Sequence, residues 1–277
     1  MDRLNRNAGG TLTLLSYDGS GVLTDLASTP TVVVKNSAGT TTATGTATRA
    51  SAGTYTLALT SAQTTTCDTY EATWTGGTDV RVTRFEITGG ALCSIADIRA
   101  SDRALATAAV DVLTDARDRA TERFEKAART AYTRRGRRAV LTGTGTTRLI
   151  PPDLDIKSIL SVTVDGVAWD ATEVRIGSGD ILYAPSNAVW TYGAEIVIRY
   201  EYGLDDVPEP VRFAVRDLAK MYAVPSLLPE RATALSTDVG SFRMTIAGRD
   251  GFTGLPEVDE VIRQFGKPAP AVGAVSW

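Results

Sequence analysis

Leu204-Asp205-Asp206-Val207-Pro208-Glu209-Pro210 opens the most informative part of this chain, which continues through Ser236-Thr237-Asp238-Val239-Gly240-Ser241-Phe242-Arg243-Met244 and closes on Gly254-Leu255-Pro256-Glu257-Val258-Asp259-Glu260-Val261-Ile262. After the first segment, Val211, Ala214, Val215, Leu218 and Tyr222 recur at spacings of three and four. Such spacing puts one apolar stripe on one helical face, so a helix is predicted over about 208–224. Pro208 and Pro210 fall where first-turn N–H groups have no intrahelical partner, and they favour a start rather than a break. A second helix is predicted over about 256–265, with Val258, Val261, Ile262 and Phe265 on one face and Gly266 as its stop.

The wider composition narrows the function classes. The chain has 277 residues, 43% hydrophobic and 22% charged, with a formal net charge of -3, which suits a globular protein of two domains. No apolar run approaches the roughly 20 residues that cross a bilayer. The opening Met1-Asp2-Arg3-Leu4-Asn5-Arg6-Asn7 has no apolar signal core, so the chain is expected to stay where it is made. There is no histidine. Ser-His-Asp and Cys-His catalytic sites and histidine-bearing zinc sites are therefore excluded, and no enzymatic activity, metal or cofactor is expected. Cys67 and Cys93, one on each side of Gly89-Gly90, form no C-x-x-C pair and read as reduced residues. The acidic pairs Asp205/Asp206 and Asp153/Asp155 read as solvated turn residues. Gly143-Thr144-Gly145-Thr146-Thr147-Arg148 lacks the third glycine of a dinucleotide fingerprint and reads as a turn between strands.

Residues 1–90 hold 23 threonines, a β-favouring residue, and little helical periodicity. Alternation at Leu12/Leu14, Val32/Val34, Tyr55/Leu57/Leu59 and Tyr70/Ala72/Trp74 predicts half-buried strands. Gly and Ser clusters punctuate them, the pattern of an antiparallel sandwich of about seven short strands. Val80 and Val82 are even-numbered whereas Phe85 and Ile87 are odd, so a bulge near Thr83/Arg84 is expected to keep all four facing inward. Gly53-Thr54-Tyr55-Thr56-Leu57 and Tyr70-Glu71-Ala72-Thr73-Trp74 resemble strands of the immunoglobulin-like modules carried by many phage structural proteins.

Gly89-Gly90 reads as the hinge between domains 1–90 and 91–277. Ser94-Ile95-Ala96-Asp97 predicts a capped helix over about 94–100. Ala109, Val112, Leu113, Ala116, Ala120, Phe124, Ala127, Ala128 and Ala131 then form one stripe, predicting a long alanine-rich helix over about 107–132. Arg134, Arg135, Arg137 and Arg138 follow, flanking Gly136. They read either as a helix C-terminus capped at Gly136 or as a contact to nucleic-acid phosphate or an acidic partner. A pI near 5.2 and the lack of interleaved aromatics favour the first. Residues 139–203 return to strands, with an Asp165-Gly166 hairpin signal and an Ile196/Ile198/Tyr200/Tyr202 alternation.

A long alanine-rich helix, the turn Ile150-Pro151-Pro152, a hairpin at Val164-Asp165-Gly166, and a strand ending Tyr200-Glu201-Tyr202-Gly203 precede a proline-started helix. In that order they resemble the head-to-tail adaptor (connector) proteins of long-tailed bacteriophages, over roughly residues 93–265. The resemblance implies an α+β chain of two domains, an N-terminal all-β immunoglobulin-like sandwich and a C-terminal helical adaptor domain with an inserted small sheet and an extended arm over 231–277. It implies a ring, usually of twelve subunits, docked on the portal protein, joined below to a stopper or tail terminator, and passing the genome during packaging and ejection. The place implied is the virion neck, after synthesis in the host cytoplasm, with no membrane partner. The interface residues implied are Phe242, Arg243, Met244, Ile246, Val258, Ile262, Phe265 and Trp277; the other reading of Phe242, Met244 and Ile246 is that they complete the chain's own sheet. Residues 1–90 have no counterpart in the resemblance. The alternative is an adhesion or receptor-binding module built on the sandwich, with Trp74 and Tyr55 stacking on sugars, although their alternation favours packing.

Overall fold

The computed structural model describes residues 2–186, 188–224, 234–237, 240–243 and 253–267. It is a mixed α+β fold with several sheets and, among the described residues, four α-helices. The chain forms two compact units, one of Met1–Gly90 with Thr133–Asp205 and one of Ala91–Tyr132 with Asp206–Trp277. The strands of 139–203, expected within the second domain, thus group with the first ninety residues.

In that β unit the first ninety residues give β1 (Asp2–Asn5), β2 (Gly10–Leu15), β3 (Thr31–Asn36), β4 (Thr41–Thr46), β5 (Thr48–Ser51), β6 (Thr54–Leu59), β7 (Asp68–Gly76) and β8 (Asp79–Thr88). They assemble as one sheet of order β1-β8-β7-β3-β4 and another of order β2-β6-β5. Leu12/Leu14, Val32/Val34, Tyr55/Leu57/Leu59 and Tyr70/Ala72/Trp74 all point inward to a single shared core, in which Trp74 and Tyr55 are among the largest buried side chains. Trp74 Nε1 donates to Thr83 Oγ1 at 2.9 Å, and Tyr55 donates to the Asp25 carboxylate at 3.3 Å, so both polar ends are satisfied. The expected bulge is absent. β7 and β8 pair in unbroken register from Asp68↔Ile87 to Gly76↔Asp79. Phe85 and Ile87 face the core, while Val80 and Val82 lie half exposed near the hairpin end, where solvent contact costs less than a broken ladder.

Residues 135–202 add β9 (Arg135–Thr142), β10 (Arg148–Leu149), β11 (Ile156–Val164), β12 (Val167–Trp169), β13 (Arg175–Ile176), β14 (Leu182–Tyr183) and β15 (Glu195–Tyr202). They form the sheets β12-β11-β15-β9 and β10-β14-β13. The Asp165-Gly166 turn is as expected: Val164 pairs with Val167, and both turn residues have positive φ, 48° and 79°, as a two-residue hairpin of this hand requires. Trp169 stacks on the fully buried Trp190 with centroids 5.3 Å apart, at the centre of a second core with Ile196, Ile198 and Tyr200.

The helical unit contains α1 (Ile95–Ser101), α2 (Val110–Ala128), α3 (Glu209–Ala223) and α4 (Pro256–Phe265), with the short hairpin β16 (Ala234–Thr237) and β17 (Gly240–Arg243). At α1 the predicted box is present: Asp97 N donates to Ser94 Oγ at 2.9 Å and Ser94 N donates to Asp97 Oδ2 at 3.1 Å. The α3 stripe buries Val211, Ala214, Val215 and Leu218 as the spacing requires. α2 differs from its expected span. It stops at Ala128 because Arg129 turns left-handed, with φ 54°, and Tyr132 folds back so that its N–H reaches Glu125 Oε1 at 3.0 Å and its ring meets Phe124 edge-on. Residues 134–138 therefore do not end a helix. From Arg135 they pair along β15, a tertiary gain that outweighs local helix propensity.

Arg129 is an exposed non-glycine residue in the left-handed region, a conformation that costs roughly 1 kcal/mol for an L side chain. The expectation is that Arg129→Gly raises stability by about 1 kcal/mol, read as an increased urea midpoint at unchanged slope.

Candidate functional site

The arginine run is where chain chemistry is most concentrated, and all of it lies in the β unit. Arg134 Nη1 donates to Glu201 Oε2 at 3.2 Å and its Nε pairs with Asp205. Arg135 grips Glu86 with two bonds, Nε to Oε1 at 2.7 Å and Nη2 to Oε2 at 2.6 Å, the bidentate geometry that suits guanidinium and carboxylate. Arg137 Nη1 reaches Asp153 Oδ1 at 2.8 Å, and Tyr200 donates to the other oxygen at 2.6 Å. Arg138 is exposed and, among the described residues, has no acidic partner. Three of the four candidate phosphate-binding arginines are thus engaged by carboxylates of the same unit.

Glu201 is the hub. It is 2% exposed and accepts from Arg6 Nη1 at 3.2 Å, from Arg134, and from the backbone N–H of Cys67 at 3.2 Å. Beside it, Asp68 pairs with Arg199 and accepts from Ser37 Oγ at 2.9 Å. Together these contacts join residues far apart in sequence, Arg6, Cys67 and Asp68 from the first ninety residues and Arg134, Arg199 and Glu201 from the later strands. Gly136 makes the approach possible: a Cβ there would collide with the Cys67 carbonyl. None of these carboxylate partners has a local signal in the sequence, because the pairs span up to 195 residues. The arginine density is legible there; its use is not.

In the helical unit, Val258 and Ile262 are buried at 2% and 3% in the packing of α4, and the Phe265 carbonyl accepts from Tyr132 Oη at 2.8 Å. The buried Asp259 carboxylate accepts from Thr253 N and Thr253 Oγ1 at 2.8 and 2.7 Å, which fixes the entry to α4. Phe242 and Arg243 lie on β17, with side chains outside the described residues, as are Met244, Ile246 and Trp277 altogether. An open groove of about 760 Å³ runs between α3 and the start of α4, lined by Arg216, Lys220, Met221, Leu255, Pro256 and Val258. Lys220 is held there by Asp102 at 2.9 Å.

Among the described residues no cluster of three metal-ligating side chains occurs. Both cysteines are free and buried. Burial is the first cause that pushes each thiol up to about 11, with the Glu201 charge adding at Cys67. Such thiols are poor nucleophiles at neutral pH. No described helix is long and apolar enough to cross a membrane.

No protein-family model matches the sequence, and no curated protein matches it. Among solved structures the chain is similar to a chain in the neck of an empty GTA particle computed with C6 symmetry, 19% identical at a TM-score of 0.38, over 49% of this chain and 82% of that one. It is also similar to a chain in the virion of a native gene transfer agent (GTA) particle, 15% identical at a TM-score of 0.46, over 65% and 91%. With both scores under 0.5, neither likeness carries an argument about what this chain does.

Glu201→Gln would leave two part-buried guanidiniums short of their shared charge, at an expected cost of roughly 3 kcal/mol. Thiol labelling separates a local effect from a general one: Cys67, beside the hub, should label faster in the variant, while Cys93, in the other unit, should not. Equal acceleration of both would show that Glu201 does not act within its own unit alone. Alkaline pH supplies a second test. Burial raises Cys67 and Cys93 to about 11 and Tyr70 and Tyr202 to about 12. Their contribution to stability is therefore complete below the unfolded values and is lost as pH rises through the folded ones. The urea midpoint should fall steadily above about pH 9.

Proposed function

We propose that this chain is a structural, non-enzymatic component of a phage-type virion neck, an adaptor whose copies form a ring of twelve on the portal and hand the genome path on to a stopper or tail terminator. The observation that carries the reading is the order of elements. The alanine-rich α2 is followed by the Asp165-Gly166 hairpin, then by β15 ending at Tyr202, and then by the proline-started α3 with α4 beyond it. That is the order in which the sequence resembles adaptor proteins. The lack of histidine agrees with a role that needs no acid–base chemistry.

In this reading the first ninety residues are an immunoglobulin-like addition carried on the neck. The adhesion alternative loses its sugar-stacking residues, since Trp74 and Tyr55 are 0% and 2% exposed in the core between the two sheets. Phe242 and Arg243 on the β16–β17 hairpin are the residues proposed to meet the portal.

Deleting the gene from its particle-producing host tests the assignment. The expected product is DNA-filled heads without attached tails, restored by expression of the chain in trans, with the labelled protein at one vertex of each particle. Tailed particles of normal yield, or label found at the tail tip, would overturn it.

A further inference from the structure

We propose that Arg134 is a latch: the three connections to the helical unit leave the β unit beside this one residue, and the third is held only by the exposed Arg134–Asp205 ion pair, which opens without disturbing the core behind it. The assignment rests on distances and burial within the β unit and stands whether or not the chain belongs to a particle neck.

The chain passes between the units three times, after Gly90, before Thr133 and after Asp205. These points are far apart in sequence, and the β unit gathers them at one place. Gly89 N donates to the Arg134 carbonyl at 2.7 Å, and a Cβ on Gly89 would lie 3.0 Å from both N and Cβ of Arg134, so the two backbones run in close contact. On the other side of the same stretch, Arg6 N donates to the Thr88 carbonyl at 2.7 Å. The first connection is thus pinned by backbone bonds on both sides. The second enters one residue before Arg134 and continues into β9, whose pairing with β15 starts at Arg135↔Tyr202. Both of these rest on backbone geometry.

The third connection is held differently. β15 ends at Tyr202, and Gly203 N still donates to the Asp155 carbonyl at 3.0 Å. From Leu204 to Val207, the Asp205 carboxylate is the one group hydrogen-bonded to a partner among the described residues. That partner is Arg134, through Nε and through Nη2 at 3.2 Å. Arg134 is itself anchored from the inner side, where its Nη1 donates to Glu201, a side chain 3% exposed, whereas the Asp205 side chain is 54% exposed. One guanidinium therefore has an inner half that belongs to the core and an outer half that serves the connection. The Arg134 guanidinium holds the Asp205 carboxyl below its ordinary range, with Lys157 and Arg6 adding, so the pair is formed at neutral pH. A pair so exposed is nevertheless weak and screened by salt, and the buried half is far less so. Since α3 begins at Glu209, release at Asp205 frees the entry to that helix and leaves the Glu201 hub closed.

Chymotrypsin cleavage of the full-length chain after Leu204, normalised to a free peptide of the same local sequence, reads the latch, because a protease cuts such a segment when it opens locally. Iodoacetamide labelling of Cys67 reads the hub behind it. Asp205→Ala should raise cleavage roughly two- to fivefold, the span that an exposed ion pair supplies, with Cys67 labelling as in the parent. Asp205→Glu should keep cleavage near the parental rate. Salt raised to about 1 M should bring the parent toward the alanine variant and leave that variant unchanged. Unchanged cleavage in Asp205→Ala would overturn the proposal, and so would a parent whose cleavage ignores salt. A rise of cleavage and Cys67 labelling together in Asp205→Ala would also overturn it, since the pair would then be part of the hub and not a latch in front of it.

Discussion

The Glu201 carboxylate carries more of this architecture than any other group. It sits on β15 with almost no solvent contact, and it is surrounded by guanidiniums and a backbone N–H that come from both ends of the β unit's sequence. A buried charge of this kind is tolerated only when its partners are all present, since an unpaired one costs several kcal/mol. The seam flanked by Arg6, Cys67 and Arg134 is therefore complete only when all three are in place. Gly136 sets the same condition sterically, because β9 can lie against the Cys67–Asp68 backbone only without a side chain at that point. Charge and close approach act at one seam.

That seam explains which parts of the chain are readable from sequence. Strands whose side chains alternate cleanly, such as Leu12/Leu14 or Tyr70/Ala72/Trp74, and helices with an apolar stripe, such as α3, announce themselves because their partner surface is simply apolar. Asp165-Gly166 announces its turn because few residue pairs accept positive φ twice in succession. Residues 134–138 mislead, since five residues rich in arginine after an alanine-rich helix look locally like its end. What makes them a strand is Glu86, Glu201 and Asp153, and no window of local sequence contains those. Val80 and Val82 mislead for the opposite reason. A strand near its hairpin end tolerates exposed valine, so hydrophobicity alone does not report its facing.

The same distinction applies to the candidate interaction sites. Clustered arginine suggests a phosphate contact at 134–138, where carboxylates have already claimed most of the charge. Cation density along a chain is thus a poor guide to cation availability on its surface. The count that matters is of guanidiniums without a carboxylate, which only tertiary structure gives.

The interleaved division of the chain has a consequence for its synthesis. The β unit is opened by residues 1–90 and completed only by 133–205, with a stretch of the helical unit between them. A ribosome adding about 5–20 residues per second leaves Asp68, Glu86 and the Cys67 backbone waiting on the order of ten seconds for Arg134, Arg199 and Glu201. During that interval the seam is an open, acid-lined sheet border on a nascent chain. The charges of Asp68 and Glu86 keep such a border wettable and discourage pairing with neighbouring chains. These two acids thus suit the period before their partners exist as much as they suit the finished protein.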